Sequence, residues 1–130
     1  MHAEKISYCF RKQEHLCSKK QIDLLFSKAK SFNSGCLRVL FITGNDNMSF
    51  PIQVLFSVSK KRFSRAVDRN RIKRKMREAY RLNKAELYNI FKEKRLFIQV
   101  GFLYVSDEIN SYKIIERDMI KALGKIISFF

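Results

Sequence analysis

The residues with the clearest chemistry lie in one stretch, Arg69-Asn70-Arg71-Ile72-Lys73-Arg74-Lys75-Met76-Arg77-Glu78-Ala79-Tyr80-Arg81, where seven of thirteen positions are Lys or Arg. Both side chains donate to anionic oxygens, and the planar fork of Arg suits phosphate especially well. At about 100° per helical residue, Ile72, Met76, Ala79 and Tyr80 share one side, while Asn70, Lys73, Arg74, Arg77 and Arg81 fall on an arc facing away from it. An apolar stripe backed by cations predicts a helix docked on a core and presenting its charge outward. Asn70 inside that arc adds an amide donor and acceptor suited to a sugar or a base edge. The chemistry on offer is recognition of a polyanion.

The segment before the helix, Ser59-Lys60-Lys61-Arg62-Phe63-Ser64-Arg65, extends the patch. From Lys60 to Arg81 there are eleven Lys or Arg and two acids, Asp68 and Glu78, so nine of the fifteen net positive charges sit there. A pI near 10.1 and this local field point to nucleic acid or an anionic surface. A disordered basic tail is a poor description, because the charge is interleaved with apolar periodicity and 46% of the residues are hydrophobic.

Catalytic patterns are absent. The sequence holds no glycine-rich phosphate loop, no G-x-S-x-G and no H-E-x-x-H, and it has four glycines in total. Cys9, Cys17 and Cys36 match no zinc spacing, and His2 and His15 add no ligand cluster. The cysteines read as small buried thiols in a reducing compartment. Asp107 and Glu108 read as solvated acids ahead of a helix. With no signal peptide and no apolar run approaching the ~20 residues of a membrane span, the expected location is cytoplasmic.

The elements that must position these groups follow from periodicity. The 130 residues are read as a single domain, with residues 1–15 a partly ordered lead-in. Ser18 and Gln21 form a candidate capping box, with Cys17 and Ile22 as a weak staple. Ile22, Leu25, Phe26 and Ala29 predict a helix over 19–30. Strands are predicted over 36–43 and 50–58, joined as a hairpin through Gly44-Asn45-Asp46-Asn47, with a split of the second run left open. Pro51 falls near a strand start, where a missing donor does least harm. Ser64 and Asp68 are both candidate caps for the basic helix, which should end near Asn83. Residues 84–95 read as a frayed extension or loop, 96–105 as a strand buried on both faces, and 111–128 as a last helix. One sheet covered by helices, an α+β sandwich, buries these faces most economically. Phe26 and the apolar strand residues could then line a groove of the kind that takes single-stranded nucleic acid.

Ser57-Val58-Ser59-Lys60-Lys61, then Ala66-Val67-Asp68-Arg69-Asn70-Arg71-Ile72-Lys73-Arg74 and Arg77-Glu78-Ala79-Tyr80-Arg81, resemble the protein subunit of bacterial ribonuclease P over about residues 10–128. The resemblance implies a two-layer α/β sandwich, ordered α-β-β-(β)-α-β-α, with a left-handed crossover through the basic helix. General topology rules favour the opposite hand. It also implies an RNA subunit that removes the 5′ leader of precursor tRNA with Mg2+ held mainly by that RNA, a protein that helps organise those ions while supplying no catalytic residue, and no obligate protein partner; no metal ligand is assigned to the protein from the sequence. By the same resemblance, Arg65, Arg69, Asn70, Arg71, Lys73, Arg74 and Arg77 meet the RNA subunit. Ile22, Phe26, Ser59, Lys60 and Lys61 lie near the leader. Two departures stand out: Ile22 occupies a position that is aromatic in many relatives, implying a purely apolar contact, and segment 62–65 replaces a shorter glycine-containing turn. Two other readings share the charge, a structural RNA-binding protein of the ribosomal type and a DNA-binding module. The latter lacks an adjoining helix-turn-helix pattern.

Overall fold

A computed structural model describes residues 19–44 and 50–130. The lead-in, the Ser18 cap with its Cys17 staple and the Asn45–Asn47 part of the turn lie outside the described residues. The elements run α1 (Lys19–Lys28), β1 (Lys30–Ser34), β2 (Leu37–Thr43), β3 (Ile52–Val58), α2 (Ala66–Asn83), α3 (Ala85–Glu93), β4 (Ile98–Tyr104) and α4 (Tyr112–Ser128).

The sheet order is β1-β2-β4-β3. This corrects the expected hairpin between 36–43 and 50–58. β2 pairs antiparallel with β1 and β4, while β3 lies at the far edge, parallel to β4. The hairpin that does form is β1–β2, through Gly35 and Cys36, with Ser34 opposite Leu37. Gly35 has φ +56°, the conformation a two-residue loop needs at its first position. β1 escapes the hydrophobic pattern because its Lys-Ser-Phe-Asn-Ser sequence is polar, as an edge strand tolerates. Parallel β3 and β4 require a crossover, supplied by α2 and α3.

Residues 84–95 are more ordered than their scattered charge suggests. Leu87 and Phe91 are buried and hold α3 as a separate helix. It ends at Arg95, φ +55°, where the Leu96 N–H reaches the Phe91 carbonyl at 2.8 Å and closes a left-handed cap. Neither Ser64 nor Asp68 caps α2: Arg65 occupies the N-cap position without a side-chain hydrogen bond, and Asp68 sits in the first turn, where it complements the helix dipole.

The strands alternate strictly. Val39, Phe41, Ile52, Val54, Phe56, Ile98, Val100 and Phe102 face the main core beneath α2 and α4. A smaller cluster on the other face joins Leu25 of α1 to Leu40, Ile42, Leu55 and Leu103. At its middle Gly101 lies between Leu40 and Leu55 in register. A Cβ there would sit 3.1 Å from Leu25 Cδ2, so the bare glycine allows α1 to settle on the sheet.

Asp118 fastens the β1–β2 turn to α4. Its Oδ2 accepts the Cys36 N–H at 3.0 Å, and its carbonyl accepts the Ser34 hydroxyl at 2.8 Å. Burial acts to raise the Asp118 pKa, but the Cys36 backbone and thiol and the Arg117 guanidinium outweigh it and hold the carboxyl below its usual value. Burial, reinforced by the Asp118 hydrogen bond and charge, pushes the Cys36 thiol up to about 12, so the thiolate chemistry of a reactive cysteine is suppressed at neutral pH. Because the folded Asp118 pKa is depressed, its charge contributes stability above the unfolded value, and this is lost as pH falls through the folded value. Asp118→Ala should therefore lower the unfolding free energy by about 1–3 kcal/mol at pH 7. In urea titrations the gap to the parent should narrow below about pH 4; a gap independent of pH would mean that the ionised carboxylate is not the stabilising form.

Candidate nucleic-acid interface

α2 is oriented by its apolar stripe. Ile72, Met76, Ala79 and Tyr80 are all buried. Tyr80 packs 5.9 Å from both Phe56 and Phe102, ring centre to ring centre, and those two rings stack at 5.7 Å. With that side committed, Asn70, Arg71, Arg74 and Arg77 are exposed, and Lys73 is half-buried at the margin. Among the described residues, Arg71, Arg74 and Arg77 meet no carboxylate within ion-pair distance. Arg81, by contrast, pairs with Glu78 at 2.6 Å. Hydrogen bonding and charge from Arg81 hold the Glu78 carboxyl below its usual range, against a smaller opposing effect of burial.

Arg69 is placed differently from its neighbours. Its guanidinium turns back along the chain and donates to the carbonyls of Phe63 at 2.9 Å and Ser64 at 2.8 Å. It thus secures the segment leading into α2. Phe63 plugs that segment into the core beside Tyr104, the Lys61 N–H bonds the Ser59 hydroxyl at 3.1 Å, and Arg62 bridges to Asp107 at 2.6 Å. The 59–65 stretch is therefore a braced turn, with Lys60, Lys61 and Arg65 exposed on it.

The structure gathers Arg65, Arg69, Asn70, Arg71, Lys73, Arg74 and Arg77 on one helix and its approach. Ile22 and Phe26 are on α1, across the sheet. Ser59, Lys60 and Lys61 follow the C-terminal end of edge strand β3, between these two regions. Leu25 anchors α1, leaving Phe26 50% exposed and Ile22 partly covered. The sheet face on the α1 side also carries Arg38, Gln53, Leu55, Ser57, Gln99 and Leu103, and Gln99 donates to Gln53 at 3.5 Å. Sequence reasoning did not single these out as a set. The available signal was the period of two in Ile52–Val58, where Gln53, Leu55 and Ser57 take the face opposite the main core.

Fold and charge together define an α+β protein built to meet a polyanion, with cations on a core-docked helix and its braced approach. The family model for ribonuclease P matches residues 10–126. The chain belongs to the ribonuclease P protein family, the protein components of a tRNA-processing ribonucleoprotein. A ribonuclease P protein component of Porphyromonas gingivalis is 41% identical over 115 residues, covering 88% of this chain and 84% of the relative. One from Chlorobium phaeobacteroides is 32% identical over 126 residues, covering 89% and 86%. Among solved structures, the Staphylococcus aureus RNase P protein superposes with a TM-score of 0.61 at 20% identity, covering 90% of this chain and 97% of that one. Membership implies an RNA partner. Among the described residues, no helix is long and apolar enough to cross a membrane.

The two kinds of arginine on α2 are separable by stability. Arg69→Ala should lower the unfolding free energy by about 1 kcal/mol or more through loss of its two charge-assisted bonds to the turn. Arg74→Ala should leave stability within about 0.5 kcal/mol of the parent. Equal melting temperatures for the two variants would show that Arg69 does not brace the turn.

Proposed function

We propose that this chain assembles with the catalytic RNA of ribonuclease P through the outward face of α2. It would also hold the 5′ leader of precursor tRNA between α1 and the sheet. The observation that carries this reading is the complete burial of Ile72, Met76 and Ala79 with near-complete burial of Tyr80, which turns Asn70, Arg71, Arg74 and Arg77 outward. Arg65, Asn70, Arg71, Lys73, Arg74 and Arg77 contact RNA phosphates and sugars. Arg69 supports that surface by holding the turn before it, and it can offer its remaining donors to RNA.

In this reading the bond is cut by the RNA subunit, and the product is a tRNA with a mature 5′ end. Mg2+ is held mainly by that RNA. Among the described residues, no group of three or more His, Cys, Asp or Glu is arranged to hold a metal ion. The protein's contribution is electrostatic and positional: cations offset the repulsion between two RNAs brought together, and an apolar groove lined by Ile22 and Phe26 orders the leader. Ser59, Lys60 and Lys61 lie where both RNAs can be reached. The site of action is the cytoplasm.

Mixing the protein with a bacterial ribonuclease P RNA at low magnesium should stimulate cleavage of precursor tRNA over RNA alone, scored by release of the leader on a gel. Absence of stimulation would reject the assignment. Phe26→Ala should weaken holoenzyme binding of precursor by about 1 kcal/mol while sparing mature tRNA. Equal losses on both substrates would remove Phe26 from the leader groove.

A further inference from the structure

α4 carries a second ordered series of cations. Lys113, Arg117, Lys121 and Lys125 recur every four residues, and all four are exposed. Over about 18 Å of helix each step advances about 40° around the axis, so the ridge winds across the outward face. It starts opposite the buried Ile115, Met119 and Ala122 and ends at the β1 edge, where the Lys125 ammonium lies 4.9 Å above the Phe32 ring. Beyond it, exposed Lys30 begins β1 and exposed Lys28 ends α1.

Like charges at this spacing repel and weaken a helix, and here the acids on α4 are directed elsewhere. Glu116 accepts from Tyr112 at 2.9 Å and from Asn83 of α2 at 3.3 Å. Asp118 is buried under the β1–β2 turn, and Arg117 reaches its Oδ1 at 3.2 Å. Among the described residues, neither Lys113 nor Lys121 meets a carboxylate within ion-pair distance. α2 and α4 pack side by side on the same face of the sheet, so a polyanion seated on α2 lies next to this ridge.

We infer that the α4 ridge is a second backbone-binding surface for the same folded RNA that α2 engages, holding it through phosphate contacts by Lys113, Lys121 and Lys125. Arg117 is shared with Asp118. The occupant is the RNA subunit: around Lys113, Arg117 and Lys121 the ridge offers charge without an exposed aromatic platform, rings (Phe32, Phe129) appearing only at its Lys125 end, and single strands are usually held on such platforms. Folded RNA is gripped by its phosphates. This inference rests on the proposed assembly with ribonuclease P RNA.

The test is a combined Lys113→Gln, Lys121→Gln and Lys125→Gln variant, titrated with ribonuclease P RNA across a range of salt concentrations. All three positions are solvent-exposed, and an unchanged melting temperature confirms a native fold. The slope of log affinity against log salt should shrink by about two to three units, and the loss should be the same with precursors of short and long leader. An unchanged slope would overturn the inference and leave the ridge a solvated face. A loss appearing only with a long leader would also overturn it, by assigning the ridge to the substrate. A companion Arg71→Gln, Arg74→Gln and Arg77→Gln variant reads the α2 surface separately, so failure of either surface is visible without the other.

Discussion

The outward presentation of charge depends on how Tyr80 is seated. Its ring lies against both Phe56 and Phe102, which stack on neighbouring parallel strands, and so fixes the rotation of α2 about its own axis. A helix with this many cations has no internal reason to choose an orientation. Burial of four apolar residues, at about 1.5–3 kcal/mol for each large side chain, imposes one. Every cation on the arc then inherits its direction from packing it takes no part in. The charged surface is thus a by-product of the core, and core substitutions would move it as a rigid unit.

Much of this was legible in the sequence, for a physical reason. The α2 stripe repeats with a period near 3.6, which is the geometry of the helix itself, so Ile72, Met76, Ala79 and Tyr80 identified their own side. The β4 run, buried on both faces, was readable as a central strand. Strand pairing was not. Asn45–Asn47 looks like a tight turn, yet β2 and β3 are separated in the sheet by β4, and nothing local records that a later strand will insert between them. β1 was missed because an edge strand needs little hydrophobicity, and α3 read only as a frayed extension or loop because Leu87 and Phe91 are too few to dominate a charged window.

The candidate site shows the same division. The identity of the cationic residues was evident from spacing, whereas their roles depend on contacts that spacing does not carry. Arg69 and Arg74 look equivalent in the sequence, but one holds two carbonyls of the preceding turn and the other is exposed. The braced turn is held by side-chain contacts of Phe63, the Arg62–Asp107 pair and Arg69.

Gly101 gives the other face of the sheet its shape. Leu40 and Leu55 rise on either side of it, and the missing side chain between them forms a notch that receives Leu25. The height at which α1 rides above the strands is therefore set by a single hydrogen atom at the centre of the sheet. The packing of that helix is made by side chains, but its distance from the sheet is written in the backbone. The clearance of the α1 side can thus shift through a position that itself presents nothing to a ligand.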